Sequence, residues 1–307
     1  MDYVLLLTQT LNGLQLGVLL FLLASGLTLV FGIMDFVNLA HGSLYMMGAF
    51  ICATLTFATG NFFLGILLAI PVMALLGYAV EFGLARWLYT RDHLSHVLAT
   101  FGLILIFDTL VQIIWGEAGI VVPLPEWLDG QVEILPGVVF PIFRLLIIGS
   151  GLSIAAGLFW LVNYTRLGML IRAGASNRTM VSALGIDIQM LFGLVFALGA
   201  VLAGIAGMLI SPITEAEIGM GNGIIITAFV VIIVGGIGSM KGAFIAAMLI
   251  GLIDTLGRSF LDDAFKLFMS SNSAETAAPA VSAMLIYILM AIILAVRPQG
   301  LFPPKVR

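Results

Sequence analysis

The sequence predicts an all-α fold: a polytopic bundle of about nine membrane-spanning helices, forming a single domain over residues 1–307. Three observations predict it. Charged residues fill only 9% of the 307 positions, 12 basic and 16 acidic, where a soluble chain would carry charge at roughly a quarter of them. Mean hydropathy is +1.21. Apolar stretches long enough to cross a bilayer recur along the whole chain, with no compositional break to mark a second domain. So few charges cannot hydrate one large globule, which excludes a soluble enzyme and a disordered chain. A net charge of −4 leaves no basic field for nucleic acid.

About 20 apolar residues cross the hydrocarbon layer as a helix. The first such stretch is Gln9–Phe31. Met1-Asp2-Tyr3 lacks the basic start of a secretory signal and the run outlasts a signal core, so a retained span is expected. His41–Thr59, Phe62–Leu84, Leu94–Trp115, Ile142–Tyr164 and Ile188–Ile210 follow, then Ile224–Met240, Gly242–Leu256 and Ala280–Val296. The passages Phe31–Phe50 and Gly235–Phe244 read equally as broken or re-entrant helices, so eight to ten crossings fit.

Basic residues set the orientation. With nine alternating spans and Arg86–His96 inside, the cytoplasmic side holds Arg86, Arg91, Arg166, Arg172, Arg178, Lys241, Arg297, Lys305 and Arg307. The other side holds only Arg144, Arg258 and Lys266. The N-terminus is therefore expected in the periplasm and the C-terminus in the cytoplasm. Periplasmic connections fall at 116–141, 211–223 and 258–279, and the longest cytoplasmic one at 165–187. Small residues one turn apart, Gly13/Gly17, Gly149/Ser153/Gly157 and Gly199/Ala203/Gly207, supply the close helix contacts that lipid itself does not drive.

Catalytic patterns are absent from the sequence. It has no G-x-x-x-x-G-K-S/T loop, so the chain does not cradle ATP in the usual way. Gly219-Met220-Gly221-Asn222-Gly223 reads as a flexible outer turn rather than a dinucleotide fingerprint. One cysteine, Cys52, and three histidines offer no disulfide framework or metal set, and His93 and His96 read as a solvated loop. Neither a cofactor nor a metal is expected.

Polar residues inside spans are costly and so informative. Gln9, Asn12 and Gln15 share one face of the first span, which must meet another helix or a polar path. Asp254 precedes Arg258 by one turn, the favoured order for a helical ion pair. Asn38, His41 and Ser43 sit in an apolar connection that is either a tight inner turn or a break beside a transport path.

The strongest local pattern is Ile171–Asp187, long enough for a separate short helix. Ser176 or Asn177 suits its N-cap and Gly185 its left-handed end. Met180, Val181 and Leu184 form an apolar stripe, with Arg172 and Arg178 nearby. Such a stripe on a basic inner loop buries itself in lipid headgroups or in a partner's groove; the weak basic charge favours the partner.

These residues bring a family into view. NLAHGSLYMMGAF within Phe31–Phe50, RAGASNRTMVSALGID at Arg172–Asp187, ALGAVLAGIAGML at Ala197–Leu209, AFVVIIVGGIGSMKGAF at Ala228–Phe244 and RPQGLF at Arg297–Phe302 resemble the LivH-type permeases of branched-chain amino acid ABC importers. The resemblance covers essentially the whole chain. It implies a non-catalytic subunit of the bacterial inner membrane. The implied partners are a second related permease, identical or different, two ATPase subunits and a periplasmic solute-binding protein. It also implies that Arg172–Asp187 is the segment that docks on an ATPase. Related permeases serve urea, short amides or aromatic acids, so the resemblance leaves the solute open. A secondary transporter driven by an ion gradient remains as an alternative from another class.

Overall fold

The computed structural model describes residues 3–302; Met1, Asp2, Lys305 and Arg307, invoked above for topology, lie outside the described residues. Each of the nine apolar stretches carries a helix, although the one expected at Ile224–Met240 ends at Gly235 and a turn over 236–239 separates it from the next. The helices are α1 (Tyr3–Met34), α2 (His41–Thr59), α3 (Phe62–Gly83), α4 (His93–Trp115), α5 (Ile142–Tyr164), α8 (Ile188–Thr214), α9 (Met220–Gly235), α10 (Met240–Lys266) and α11 (Ser271–Val296). Two short helices, α6 (Arg166–Ser176) and α7 (Arg178–Ala183), stand between α5 and α8. Among the described residues eight helices are long and apolar enough to cross a membrane, and α9, with 16 residues, is shorter. The chain is a multi-pass helical membrane protein.

Its centre is α1, which packs against α10, α8, α5 and α9. Residues 18–30 of this helix are buried without interruption, so it is apolar all round, as a helix enclosed by others must be. Around it, α3, α4, α5 and α11 turn large apolar side chains outward, among them Leu67, Ile113, Trp160 and Ile292. In water such a surface would be a liability; in hydrocarbon it is matched to its solvent.

Close approach at glycines explains the tight core. A Cβ placed on Gly207 would fall 2.0 Å from the Tyr45 carbonyl oxygen, so α8 meets the backbone of α2 there. Gly13 and Gly17 likewise face the backbone of α10 at Leu252 and Met248. The third stripe behaves differently. Gly149 and Gly157 have no neighbouring atom within reach of a Cβ, and Ser153 is exposed, so this face of α5 points out of the chain instead of packing inside it.

Other expectations change as well. Gly219–Gly223 is not a flexible turn: only Gly219 is left-handed, and α9 begins at Met220. Gly221 is needed because a Cβ there would overlap the Gly42 carbonyl at the α2–α9 contact. The 258–279 connection is mostly helix, since α10 runs on to Lys266 and α11 starts at Ser271. One turn of polar i,i+4 pairing, Lys266 to Asp262, supports that extension beyond the apolar core. The 116–141 connection folds a small antiparallel hairpin, β1 (Gln131–Leu135) with β2 (Val138–Pro141), turned at Gly137 with φ +81°. Ile120 and Ala216 exchange backbone hydrogen bonds, tying this connection to the one after α8.

Both passages read as broken helices are breaks of defined shape. Between α1 and α2, Asp35 takes φ +54° and the chain needs only residues 35–40 to turn. Between α9 and α10, Gly236 and Gly238 take positive φ and Ser239 caps α10 at Gly242. The RPQGLF passage pins this second turn: Leu301 and Phe302 donate backbone hydrogen bonds to the Val234 and Gly235 carbonyls, which α9 leaves free at its end.

Candidate functional site

The α6–α7 segment is built by caps at every joint. Thr165 Oγ1 accepts from the Gly168 amide and starts α6. The α5–α6 corner is so tight that a Cβ on Gly168 would overlap the Val162 carbonyl. The Arg172 guanidinium donates to that same carbonyl, one of the free acceptors at the end of α5. Ile171 and Gly174 are buried, Gly174 against Leu191 of α8 and Ile33 of α1, which seats α6 on the bundle.

Asn177 performs two tasks at the α6–α7 joint. Its amide donates to the Ala173 carbonyl, and its side-chain oxygen accepts from the Met180 amide at 2.9 Å. Of the two N-cap candidates the structure uses this one. Gly185 takes φ +84° and donates to the Ser182 carbonyl, while Ile186 donates to Val181. This paired pattern closes a helix with its left-handed residue just past the end, a conformation that costs glycine little. Asp187 then caps α8 by accepting from Gln189 and Met190.

The apolar stripe divides into a root and an outward edge. Val181 is 4% exposed and faces the chain; Met180 and Leu184 are 59% and 73% exposed. Arg178 lies with its guanidinium carbon 5.5 Å from the centre of the Phe192 ring. Phe192 meets Tyr89 edge-on at 5.1 Å, and the Tyr89 hydroxyl donates to Glu81 at 3.1 Å. Glu81, fully buried, also accepts from Arg86 at 3.0 Å. Burial and the neighbouring Glu81 charge push the Tyr89 hydroxyl pKa well up, so it stays a donor. The root of α7 is thereby joined to the α3–α4 connection. Sequence reasoning missed this chain of contacts, because Glu81 and Arg86 are five apart and their pairing runs around a 3-10 turn at Ala85–Trp87.

The six polar residues weighed for a path do not form one cluster. Asn12 accepts from Arg144 at 2.6 Å and donates to Gln9 at 3.1 Å, so these two join α1 to α5. Gln15, one turn further along α1, is 5% exposed. His41 lies beside Leu23 and Gly26 in the middle of α1, about 16 Å along that helix from Asn12 at 1.5 Å per residue, and Asn38 and Ser43 flank it in sequence. All three are buried. The His41 Nε2–H donates to the Leu23 carbonyl at 3.1 Å; its Nδ1, both amide atoms of Asn38 and the Ser43 hydroxyl have no protein partner. Four unpaired groups in one break are a polar seam inside an apolar wall, the environment in which ordered water is stable.

A second polar feature stood in the sequence only as a helical pair. Asp254 and Arg258 meet at 3.0 Å and border a cavity of about 300 Å³ between α1, α9, α10 and α11. Among the described residues no group of three metal-ligating side chains comes together.

A polytopic bundle with polar breaks within its helices and a capped, outward-facing helix between α6 and α8 has the build of a membrane permease. Residues 9–294 match the family described as the branched-chain amino acid transport system permease component, and the chain belongs to that family. It is similar to the high-affinity branched-chain amino acid transport system permease protein LivH of Escherichia coli K12, 28% identical over 85% of this chain and 88% of the relative. It is also similar to the corresponding BraD protein of Pseudomonas aeruginosa, 30% identical over 85% and 89%. A probable LivH of Methanocaldococcus jannaschii is 28% identical over 80% and 79%. No solved structure matches the chain.

Proposed function

We propose that this chain is the membrane-spanning subunit of an ABC importer of the bacterial inner membrane, moving branched-chain or related amino acids from periplasm to cytoplasm. It works with a second permease subunit, identical or related, two ATPases and a periplasmic binding protein. The observation that carries the reading is α7: a helix fixed at its root by Val181 and at both ends by caps, yet presenting Met180 and Leu184 outward. Apolar side chains held rigid on a basic connection suit a groove on a partner. The family and its named amino-acid permeases support the transport class.

Transport then follows from differential docking. ATP binding closes the paired ATPases, α7 moves with its groove, and the caps at Asn177 and Asp187 pass that motion to α6 and α8 as rigid levers. The bundle opens to the periplasm, accepts solute from the binding protein, and returns inward after hydrolysis. Nucleotide shifts this equilibrium only as far as its partners bind the two bundle states unequally. The test is reconstitution of the assembled transporter, with uptake and ATP hydrolysis measured against amino acids, urea, short amides and aromatic acids in the presence of the binding protein. Hydrolysis-linked uptake of aliphatic amino acids is expected. Uptake that persists without ATPases would assign a secondary transporter, and stimulation by urea or aromatic acids alone would assign a different solute.

A further inference from the structure

Tyr89, in the connection between α3 and α4, is where several parts of the chain meet. On one side its ring meets Phe192 of α8 edge-on at 5.1 Å, and Phe192 carries the Arg178 guanidinium of α7 over its ring. On another side it meets Phe36, in the 35–40 break, at 5.9 Å and 88°. Its hydroxyl is tied to Glu81 of α3. Phe36 is 1% exposed and also packs on His96 of α4 and Phe196 of α8, at 4.7 and 6.4 Å between ring centres. Two hydrogen bonds close the circuit. The His96 Nε2–H donates to the Leu88 carbonyl at 2.8 Å, and the Leu39 amide donates to the Thr100 hydroxyl oxygen at 3.2 Å.

A line of contact thus runs from α7 to the α1–α2 break. Rings interlocked edge-to-face at 87° and 88° resist sliding past one another, and a close-packed interior passes strain on. Glu81, itself held by Arg86, keeps the Tyr89 hydroxyl from swinging away. The break at the far end is less firmly fixed. Asp35 takes the left-handed φ +54° without being glycine, and both amide atoms of Asn38 are buried without a protein partner. Backbone strain and unpaired polar groups leave little to hold this segment in one arrangement. We infer that Tyr89 is a positioning residue that couples α7 to the α1–α2 break. A push on Arg178 reaches Phe36 through Phe192 and Tyr89, and the break turns in response. Tyr89 acts only through Phe36. The inference rests on the reading of α7 as the helix that docks on an ATPase.

The test uses the assembled transporter in proteoliposomes, with its ATPases and binding protein and with L-leucine as the probe. It reads ATP hydrolysed per leucine imported, alongside ATPase recruitment. Tyr89→Leu keeps much of the bulk but loses both ring edges and the hydroxyl. It should raise the ratio about threefold or more with recruitment unchanged, and Tyr89→Phe, which keeps the rings, should stay nearer the parent. Phe36→Leu, at the far end of the line, should raise the ratio as well, and it carries the test if Tyr89→Leu does not assemble. The double variant should be no worse than the stronger single one, as for two cuts in one line. A merely structural role lowers uptake and hydrolysis together and leaves the ratio at the parent value. A parent-level ratio in these variants, or a double variant whose effects multiply in full, overturns the role of Tyr89. If Leu184→Asp abolishes recruitment while the ratios stay at the parent level, only that role fails, and α6, which meets Ile33 just before the break, becomes the route. If Leu184→Asp leaves recruitment intact, the docking reading fails and the role of Tyr89 with it.

Discussion

Leu184→Asp separates docking from folding, because the structure places this side chain outside the core. Leu184 is 73% exposed, so the chain gains little from it; a surface change of this kind alters stability by about 0.5 kcal/mol or less. A partner that covers the residue gains most of a leucine's transfer energy, about 1–2 kcal/mol of the usual 1.5–3. Placing a carboxylate in the same groove adds a desolvation cost of at least about 1 kcal/mol more. The sum is about 3 kcal/mol, or roughly a hundredfold weaker docking. Val181→Ala provides the contrast. At 4% exposure Val181 contributes to the seat of α7, and loss of two buried methyls costs the chain about 1–2 kcal/mol without altering the outward edge. The assay is binding of the ATPase subunits to proteoliposomes over a concentration series, together with ATP-driven uptake. Leu184→Asp should lose both while its melting temperature stays near that of the parent. Normal ATPase recruitment and uptake in this variant would refute the docking role of α7.

The remaining predictions concern the supports of that helix and of the bundle. Gly185→Ala forces a Cβ into φ +84° and should cost about 1–2 kcal/mol, read as faster amide exchange across Arg178–Ile186. Glu81→Ala strips Arg86 and Tyr89 of their shared acceptor; about 3 kcal/mol is expected, the low end for a broken buried pair because Arg86 reaches the surface, and a lowered melting temperature would report it. Gly207→Val should destabilise by about 1–3 kcal/mol or more by prising α8 from α2, whereas Gly149→Val, where no atom stands within 4 Å, should melt like the parent. Equal melting temperatures for those last two variants would contradict the helix packing described above.

How much of this was legible in advance varies with the range of the interaction. Span positions depend on solvent alone: a run such as His41–Thr59 or Ile142–Tyr164 has no stable place except lipid, and both helices begin and end where the sequence predicts. Caps are similarly local. Asn177 and Gly185 act on backbone groups three to four residues away, so the sequence marks the ends of α7, with Ser176 and Asn177 as alternatives for the first. Glycine stripes were legible as patterns but not as contacts, since Gly207 and Gly149 look alike in sequence and only one meets a neighbouring backbone.

The sequence by itself determined that this is a membrane bundle with a short capped helix within the 165–187 connection, because hydrophobic length and capping chemistry are properties of contiguous residues; that Arg166–Ser176 forms a second helix there was not legible. Tertiary structure alone decided which side of α7 stays free. It also joined Arg178 through Phe192 and Tyr89 to Glu81, parted Asn12 from His41, and set Asp254 and Arg258 beside an apolar cavity. Those outcomes depend on which helices become neighbours. In lipid that choice is made by backbone proximity and shape, distributed over residues far apart in the chain, so no local pattern records it.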